Sequence, residues 1–246
     1  MKAILSIMLF NIGFFSINTF AAETENAITT PSNEKITIDI VSDVVCPWCA
    51  IGYKRLSQAI DELEIKDKVL ITWHPFQLNP NMPQEGVNAN KYLMNKLRLT
   101  PEELKEKRES VAKTAKDSGF QFNYFEEMRK PNTLYAHVLL DYAKDFNKQT
   151  ELKVRLQEAY FTERKNIGNK EVLYAELKAV GLNADEAIAR LDDDAAIMRV
   201  KKEEKYWKSL GVASIPTMVF DNQVARRGAS SVEAYKKLLI TLMNEK

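Results

Sequence analysis

Cysteine and histidine are scarce, two of each in 246 residues. Two cysteines cannot staple a disulfide-rich scaffold. A structural zinc site needs four ligands at paired spacings, and the distant His74 and His137 offer no pairing. Charge of one sign is lacking too: 35 Lys plus Arg face 34 Asp plus Glu, for a net charge of +1. That balance gives no reason to expect nucleic acid or a membrane surface as partner. After the first twenty-odd residues no apolar run is long enough to span a bilayer, and no repeat or low-complexity tract breaks the chain. What remains is a globular composition, 45% apolar and 28% charged, in a length that suits one large domain or a small domain carrying an insertion.

The first residues read as an export signal. Lys2 supplies the positive start, Ala3 to Phe15 is almost wholly apolar, and Thr19-Phe20-Ala21 places small residues at a cleavage site. A signal peptide is therefore predicted over 1–21. A membrane anchor is the competing reading, and Asn11, Gly13 and Asn18 argue against it. In a bacterium the mature chain would be periplasmic, where disulfides persist. Residues 22–34 are polar and predicted to be a disordered linker.

From Lys35 the pattern is that of a strand, with Ile36, Ile38 and Ile40 alternating against Thr37, Asp39 and Val41. It runs directly into Cys46-Pro47-Trp48-Cys49. Cys49, Tyr53, Leu56, Ile60 and Leu63 then recur at spacings of four and three, one stripe of an amphipathic helix. Pro47 suits the first helical position, so Cys46 falls at the helix mouth and Cys49 on the inward face. A second strand is predicted over 68–76. Helices follow from about Asn88 to Leu210, including 133–143 and 151–161, with Thr100/Glu103 and Asn183/Glu186 as capping pairs and Gly181 and Gly211 at helix stops. Strands at Thr217 to Phe220 and Val224 to Arg227 lead to a last helix capped by Ser230 and Glu233. The predicted class is α/β: a sheet with helices packed on it and a helical insertion.

Three uses of the cysteine pair compete besides zinc. Two thiolates can hold Cu(I), which keeps a copper carrier open. A purely structural disulfide is weak, because so short a loop removes little entropy from the unfolded chain. A redox pair accounts for the placement as well. A thiolate at a helix N-terminus faces unpaired N–H groups and the positive end of the dipole, which lowers its pKa. Cys46 is thus the expected acidic, accessible nucleophile, and Cys49, one turn deeper, the expected resolving thiol.

Four segments in order, "VSDVVCPWCAIG", "HPFQLNPNMPQEG", "EAYFTERKNIGNKEVL" and "LGVASIPTMVFDNQVARRGAS", resemble the DsbA-type thiol:disulfide oxidoreductases, and within them the FrnE-like branch. The resemblance covers about residues 35 to 240. It implies a thioredoxin fold with an inserted all-helical subdomain, here 35–87 and 195–246 for the thioredoxin parts and 88–194 for the insertion. It implies that Pro216 is a cis-proline beside the cysteines and that Ile215 offers backbone groups to a bound peptide. Unlike some FrnE-type proteins this chain has no further cysteines. The related kappa-class glutathione transferases and 2-hydroxychromene-2-carboxylate isomerases typically carry serine where Cys46 stands.

The expected activity is disulfide exchange with protein or peptide thiols, coupled to an unidentified redox partner and needing no metal or organic cofactor. Pro47 and Trp48 are expected to tune the pair. Trp48 cannot supply the imidazolium that DsbA carries before its second cysteine, so a higher Cys46 pKa and a less oxidising couple are expected. Asp39 and Asp43 are read as solvated strand-end acids or turn-formers, with a proton relay to Cys49 as the alternative. His74 and His137 are read as hydrogen-bonded structural histidines, residues 199 to 208 as a solvated helix face, and Arg226 and Arg227 as surface residues.

Overall fold

β-Branched side chains at alternate positions make β1 (Ile36–Ser42) a strand that can be buried on both faces, and it lies inside a four-stranded sheet. The computed structural model describes residues 35–246, so the leader predicted over 1–21 and the linker over 22–34 lie outside the described residues. After β1 come α1 (Pro47–Glu62), β2 (Val69–Pro75), the short β3 (Val87–Asn88), α2 (Ala89–Leu97), α3 (Pro101–Asp117) and the short β4 (Arg129–Lys130). Next are α4 (Leu134–Lys144), α5 (Gln149–Phe161), α6 (Lys170–Ala179), α7 (Ala184–Ala189) and α8 (Asp194–Ser209). β5 (Thr217–Phe220), β6 (Val224–Arg227) and α9 (Val232–Asn244) complete the chain. This is the element order expected of a thioredoxin fold with a helical insertion.

The sheet order is β2-β1-β5-β6. β1 and β2 are parallel, Ile36 opposite Val69, and β5 runs antiparallel to β1 with Ile38 opposite Phe220. β6 returns antiparallel to β5 through Asp221 and Asn222, both at positive φ (48° and 55°). The three-residue connection 221–223 turns on these two, with the Gln223 N–H donated to the Phe220 carbonyl at 2.9 Å, and Asn and Asp tolerate positive φ best among residues with side chains. A separate ladder pairs β3 with β4, Val87 opposite Lys130.

Two cores sandwich the sheet's functional end. Ile36, Ile38, Ile40, Met218 and Phe220 pack against Leu56 and Ile60 of α1 and Tyr235 and Leu239 of α9. On the other face Val41 meets Trp207 of α8 and Val212. A larger core among the helices, with Leu139, Leu152, Leu156, Phe161, Leu177 and Val200, also takes in Val44, Val45, Ala50 and Ile51 from the β1–α1 junction. Burying each such aliphatic side chain stabilises the fold by roughly 1.5–3 kcal/mol. The first turn of α1 is thereby held between the sheet and the helices.

Edge strand β2 is tied to α5 at Trp73, whose indole N–H donates to the Thr150 hydroxyl at 2.9 Å. The Gln149 amide donates from Nε2 to the Trp73 carbonyl at 2.9 Å and accepts the Trp73 N–H at 3.0 Å. At the opposite edge Ala225, Arg226 and Arg227 of β6 are exposed, as expected for the arginines.

Thr100 and Glu103 form the predicted capping box on α3, and Asn183 accepts the Glu186 N–H at the start of α7. Two expectations need correction. The last helix is capped by Ser231, which accepts the Ala234 N–H at 3.2 Å, because the Ser230 N–H is directed to the Tyr235 hydroxyl. The run 199–208 is not wholly solvated. Val200, Glu204 and Trp207 are buried, and Glu204 accepts the backbone and side-chain N–H groups of Gln77 and the Lys208 ammonium. Lys201, Lys202 and Lys205 face solvent.

Candidate active site

Pro47 opens α1 because its missing N–H is one the first helical turn leaves unpaired anyway, and this fixes Cys46 as the N-cap residue. Cys46 has extended backbone (φ −91°, ψ 113°), and its carbonyl accepts the N–H of Cys49 at 3.1 Å and of Ala50 at 3.3 Å. Cys49 is the third helical residue, fully buried on the stripe predicted from spacing. The two thiols are free.

The environment splits their acidities. Hydrogen bonding from the Cys49 thiol pulls the Cys46 pKa below that of an ordinary thiol. Burial pushes the other way, the Cys49 backbone N–H and the Lys153 charge assist, and Asp43 opposes. Burial pushes Cys49 well above the ordinary range, and its role as donor to Cys46 adds to the rise. Acidity falls on the N-terminal sulfur.

Accessibility differs from the expectation. Cys46 is only 5% exposed, because the helices roof the mouth of α1. It opens instead onto a cavity of about 370 Å³ that Pro47, Trp48 and Ile215 also line. Trp48 is 43% exposed at its edge. The Ile215–Pro216 peptide bond is cis. Pro216 is buried behind the cavity wall, and its carbonyl accepts the Gly228 N–H at 2.8 Å. Five of the six residues singled out from sequence thus gather at one end of α1, with Pro216 directly behind.

A charged layer lies beneath. Asp43 is fully buried rather than a solvated strand-end acid. One oxygen accepts the Leu78 N–H at 2.8 Å, and the other lies 3.5 Å from His137 Nε2 without hydrogen-bond geometry. Burial alone would raise the Asp43 pKa; the His137 contact, the Leu78 N–H and Lys153 outweigh it and hold the carboxyl below its ordinary range. Its backbone carbonyl also closes a turn with the Cys46 N–H at 3.3 Å, the turn-forming half of the expectation. Lys153 of α5 is 1% exposed, and burial brings its ammonium down to about 8 against the opposing pull of Cys49, Asp43 and Cys46. Lys153 and His137 share a cavity of about 10 Å³, room for roughly one water.

Farther out, His74 of β2 is clamped between carboxylates. Its Nδ1 lies 2.6 Å from Glu203 and its Nε2 2.7 Å from Asp39. His74 is hydrogen-bonded as expected, with Asp39 a partner rather than a free acid, whereas the Nε2 of buried His137 makes no hydrogen bond among the described residues. Burial would lower the His74 pKa, but the two carboxylates raise it above the ordinary value.

The sequence reading passed over Lys153. A signal existed: Gln149, Lys153 and Gln157 recur every fourth residue beside the apolar Leu152 and Leu156, and all of these are buried. Lys130 was also missed, since β4 has only two residues and no periodicity to read.

The model of the DSBA-like thioredoxin domain matches residues 37–239. The chain belongs to this family. The enzyme class that goes with it is thiol:disulfide oxidoreductase, and the close Cys46–Cys49 pair fits the CxxC motif such chemistry uses. The chain is similar to the uncharacterized protein YwbO of Bacillus subtilis, 25% identical over 210 residues that cover 83% of this chain and 96% of that protein. A probable DsbA oxidoreductase from Streptomyces coelicolor has a similar structure, with a TM-score of 0.80 at 24% identity over 86% of this chain and 91% of that one. The cytosolic disulfide reductase DsbM of Pseudomonas aeruginosa, determined with GSH, superposes with a TM-score of 0.59 at 17% identity over 85% and 99% of the two chains. Both likenesses are of fold. Among the described residues no helix is long and apolar enough to cross a membrane.

Proposed function

We propose that this DsbA-like chain is an exported, FrnE-like dithiol:disulfide oxidoreductase acting on protein thiols, with Cys46 as nucleophile and Cys49 as resolving thiol. Residues 35–87 and 195–246 form the exchange platform, and 88–194 the helical cover. The leader-like sequence over 1–21 supports a periplasmic site of action.

In the oxidised enzyme a substrate thiolate attacks the Cys46 sulfur and breaks the Cys46–Cys49 bond, and the electron pair goes to Cys49, which takes up a proton. A second substrate thiolate then attacks the substrate sulfur of the mixed disulfide. The substrate disulfide forms and Cys46 leaves as thiolate. Two electrons pass from substrate to enzyme. A thiol of lowered pKa leaves faster, so the acidity of Cys46 favours this last step, while the high pKa of Cys49 keeps its proton in place. Pro47 sets the helix start, Trp48 offers an apolar face without charge, and Ile215 beside Pro216 presents backbone to a bound peptide.

The observation that carries the reading is the division of labour in one pair: an acidic sulfur at a helix mouth facing a cavity, its neighbour sealed behind it. Trapping tests it. Cys49→Ala should accumulate a mixed disulfide when its Cys46 thiolate attacks a disulfide-bonded protein substrate, one substrate sulfur leaving as thiol, and Cys46→Ala should accumulate none. Equal trapping by both variants would overturn the assignment of roles.

A further inference from the structure

The cavity facing Cys46 is lined by four cationic side chains, Lys96, Lys107, Arg108 and Lys130, and by no carboxylate. Two of these cations, the buried Lys130 and the half-buried Arg108, have no carboxylate partner among the described residues. Lys130 is 8% exposed, and burial pushes its ammonium below the ordinary range. The charges of Asp43 and Cys46 act on it only across space, and Asp43 is already engaged by the Leu78 N–H and His137. Arg108 lies 4.7 Å from the centre of the Tyr124 ring, with its Nε buried and lacking a hydrogen-bond partner. An uncompensated buried cation is costly, and a bound anion removes that cost.

The remaining wall is largely apolar, with Leu93, Leu104, Met128 and Phe161. The volume of about 370 Å³ falls in the range of about 300–1,000 Å³ typical of small-molecule sites. We propose that this cavity binds a low-molecular-weight thiol or disulfide built of an apolar body and a carboxylate, the carboxylate on Lys130 and Arg108 and the sulfur against Cys46. The small disulfide is the redox partner that resets the enzyme after it has oxidised protein, and the small thiol resets it when it works in the reverse direction.

The inference rests on the exchange chemistry proposed above, and its balance is the same. A reduced Cys46 thiolate attacks the small disulfide RSSR, giving Cys46–S–S–R and one RS⁻. Cys49 gives up its proton and attacks the Cys46 sulfur, which forms the enzyme disulfide and releases the second RS⁻. Two electrons pass from enzyme to small disulfide, and the reverse sequence reduces the enzyme.

The test compares two small aromatic disulfides, the dianionic dithiobis(nitrobenzoate) and the neutral dithiodipyridine, in their rates with reduced enzyme. The ratio of the two rate constants within one variant cancels changes in thiolate fraction. Lys130→Met and Arg108→Met should each lower that ratio about tenfold, the scale of one charge-assisted hydrogen bond. Lys130→Arg should restore most of it. A ratio within about twofold of wild type in both methionine variants overturns the proposal, as does an equal loss in Lys130→Arg. Peptide disulfides with Glu or Gln beside the sulfur separate the sources of the carboxylate: a Lys130-dependent preference confined to the Glu peptide overturns the small-molecule identity. If Cys46 is not the nucleophile, Cys46→Ser reacts with both probes as wild type does, a different failure from an unmoved ratio.

Discussion

The Lys153 ammonium lies 5.1 Å from the centre of the Trp73 ring. A lysine from α5 and an indole from β2 are closed off together, within electrostatic range of both cysteines. The aromatic face supplies some of what water would have given the cation, though not all of it, since the ammonium still titrates near 8.

Because burial depresses this pKa, the charged form is disfavoured in the folded state, and stability gained from the group rises from about pH 8 toward the unfolded value near 10.4. At neutral pH the charge is a net cost. Lys153→Met should therefore stabilise the reduced protein at pH 7 by on the order of 1–3 kcal/mol, read from denaturant midpoints. The same change should raise the Cys46 pKa and make the couple more reducing, since a cation near the thiolate is lost. A lower midpoint together with an unchanged potential would refute this account.

Trp48→His places an ionisable imidazole beside Cys46. The Cys46 pKa, followed by thiolate absorbance, should fall, and the equilibrium potential against glutathione should become more oxidising, each 30 mV corresponding to about 1.4 kcal/mol. An unchanged or raised pKa in the histidine variant would end the idea.

His74 gives a pH signature. Its folded pKa is raised above the unfolded value near 6.5, so the stability it contributes is complete below about pH 6.5 and is lost as pH rises through the folded pKa. The stability margin of wild type over His74→Phe should shrink as pH climbs above about 6.5 and through the raised folded pKa. A margin that widens over that window would show that the Asp39 and Glu203 clamp works through something other than imidazolium charge.

Ser231→Ala should destabilise the fold by roughly 1 kcal/mol and Ser230→Ala by much less, because only Ser231 supplies a side-chain cap to α9. Thermal or denaturant unfolding of the two variants decides it. Equal losses would place the helix start one residue earlier.

The elements around the cysteines were legible in the sequence because their signals are local. Alternating isoleucines marked β1, a stripe of fours and threes marked α1, and Pro47 marked its start. Ser230 and Ser231 offered two adjacent caps, and only the Tyr235 hydroxyl, brought close by folding, decides between them. Asp43 and Lys153 were opaque for a stronger reason. A charged residue reads as solvated until chain more than a hundred residues away packs over it, and no periodicity in β1 announces the helices that cover its end. Cys46 misled in the same way: the helix mouth was legible, its roof was not.

The Gln149 amide, bonded to both the N–H and the C=O of Trp73, does in one side chain what a neighbouring strand would do. That position is taken on one border of the sheet, and two adjacent arginines stand on the other. Both borders of the sheet thus carry features that disfavour strand addition from another chain.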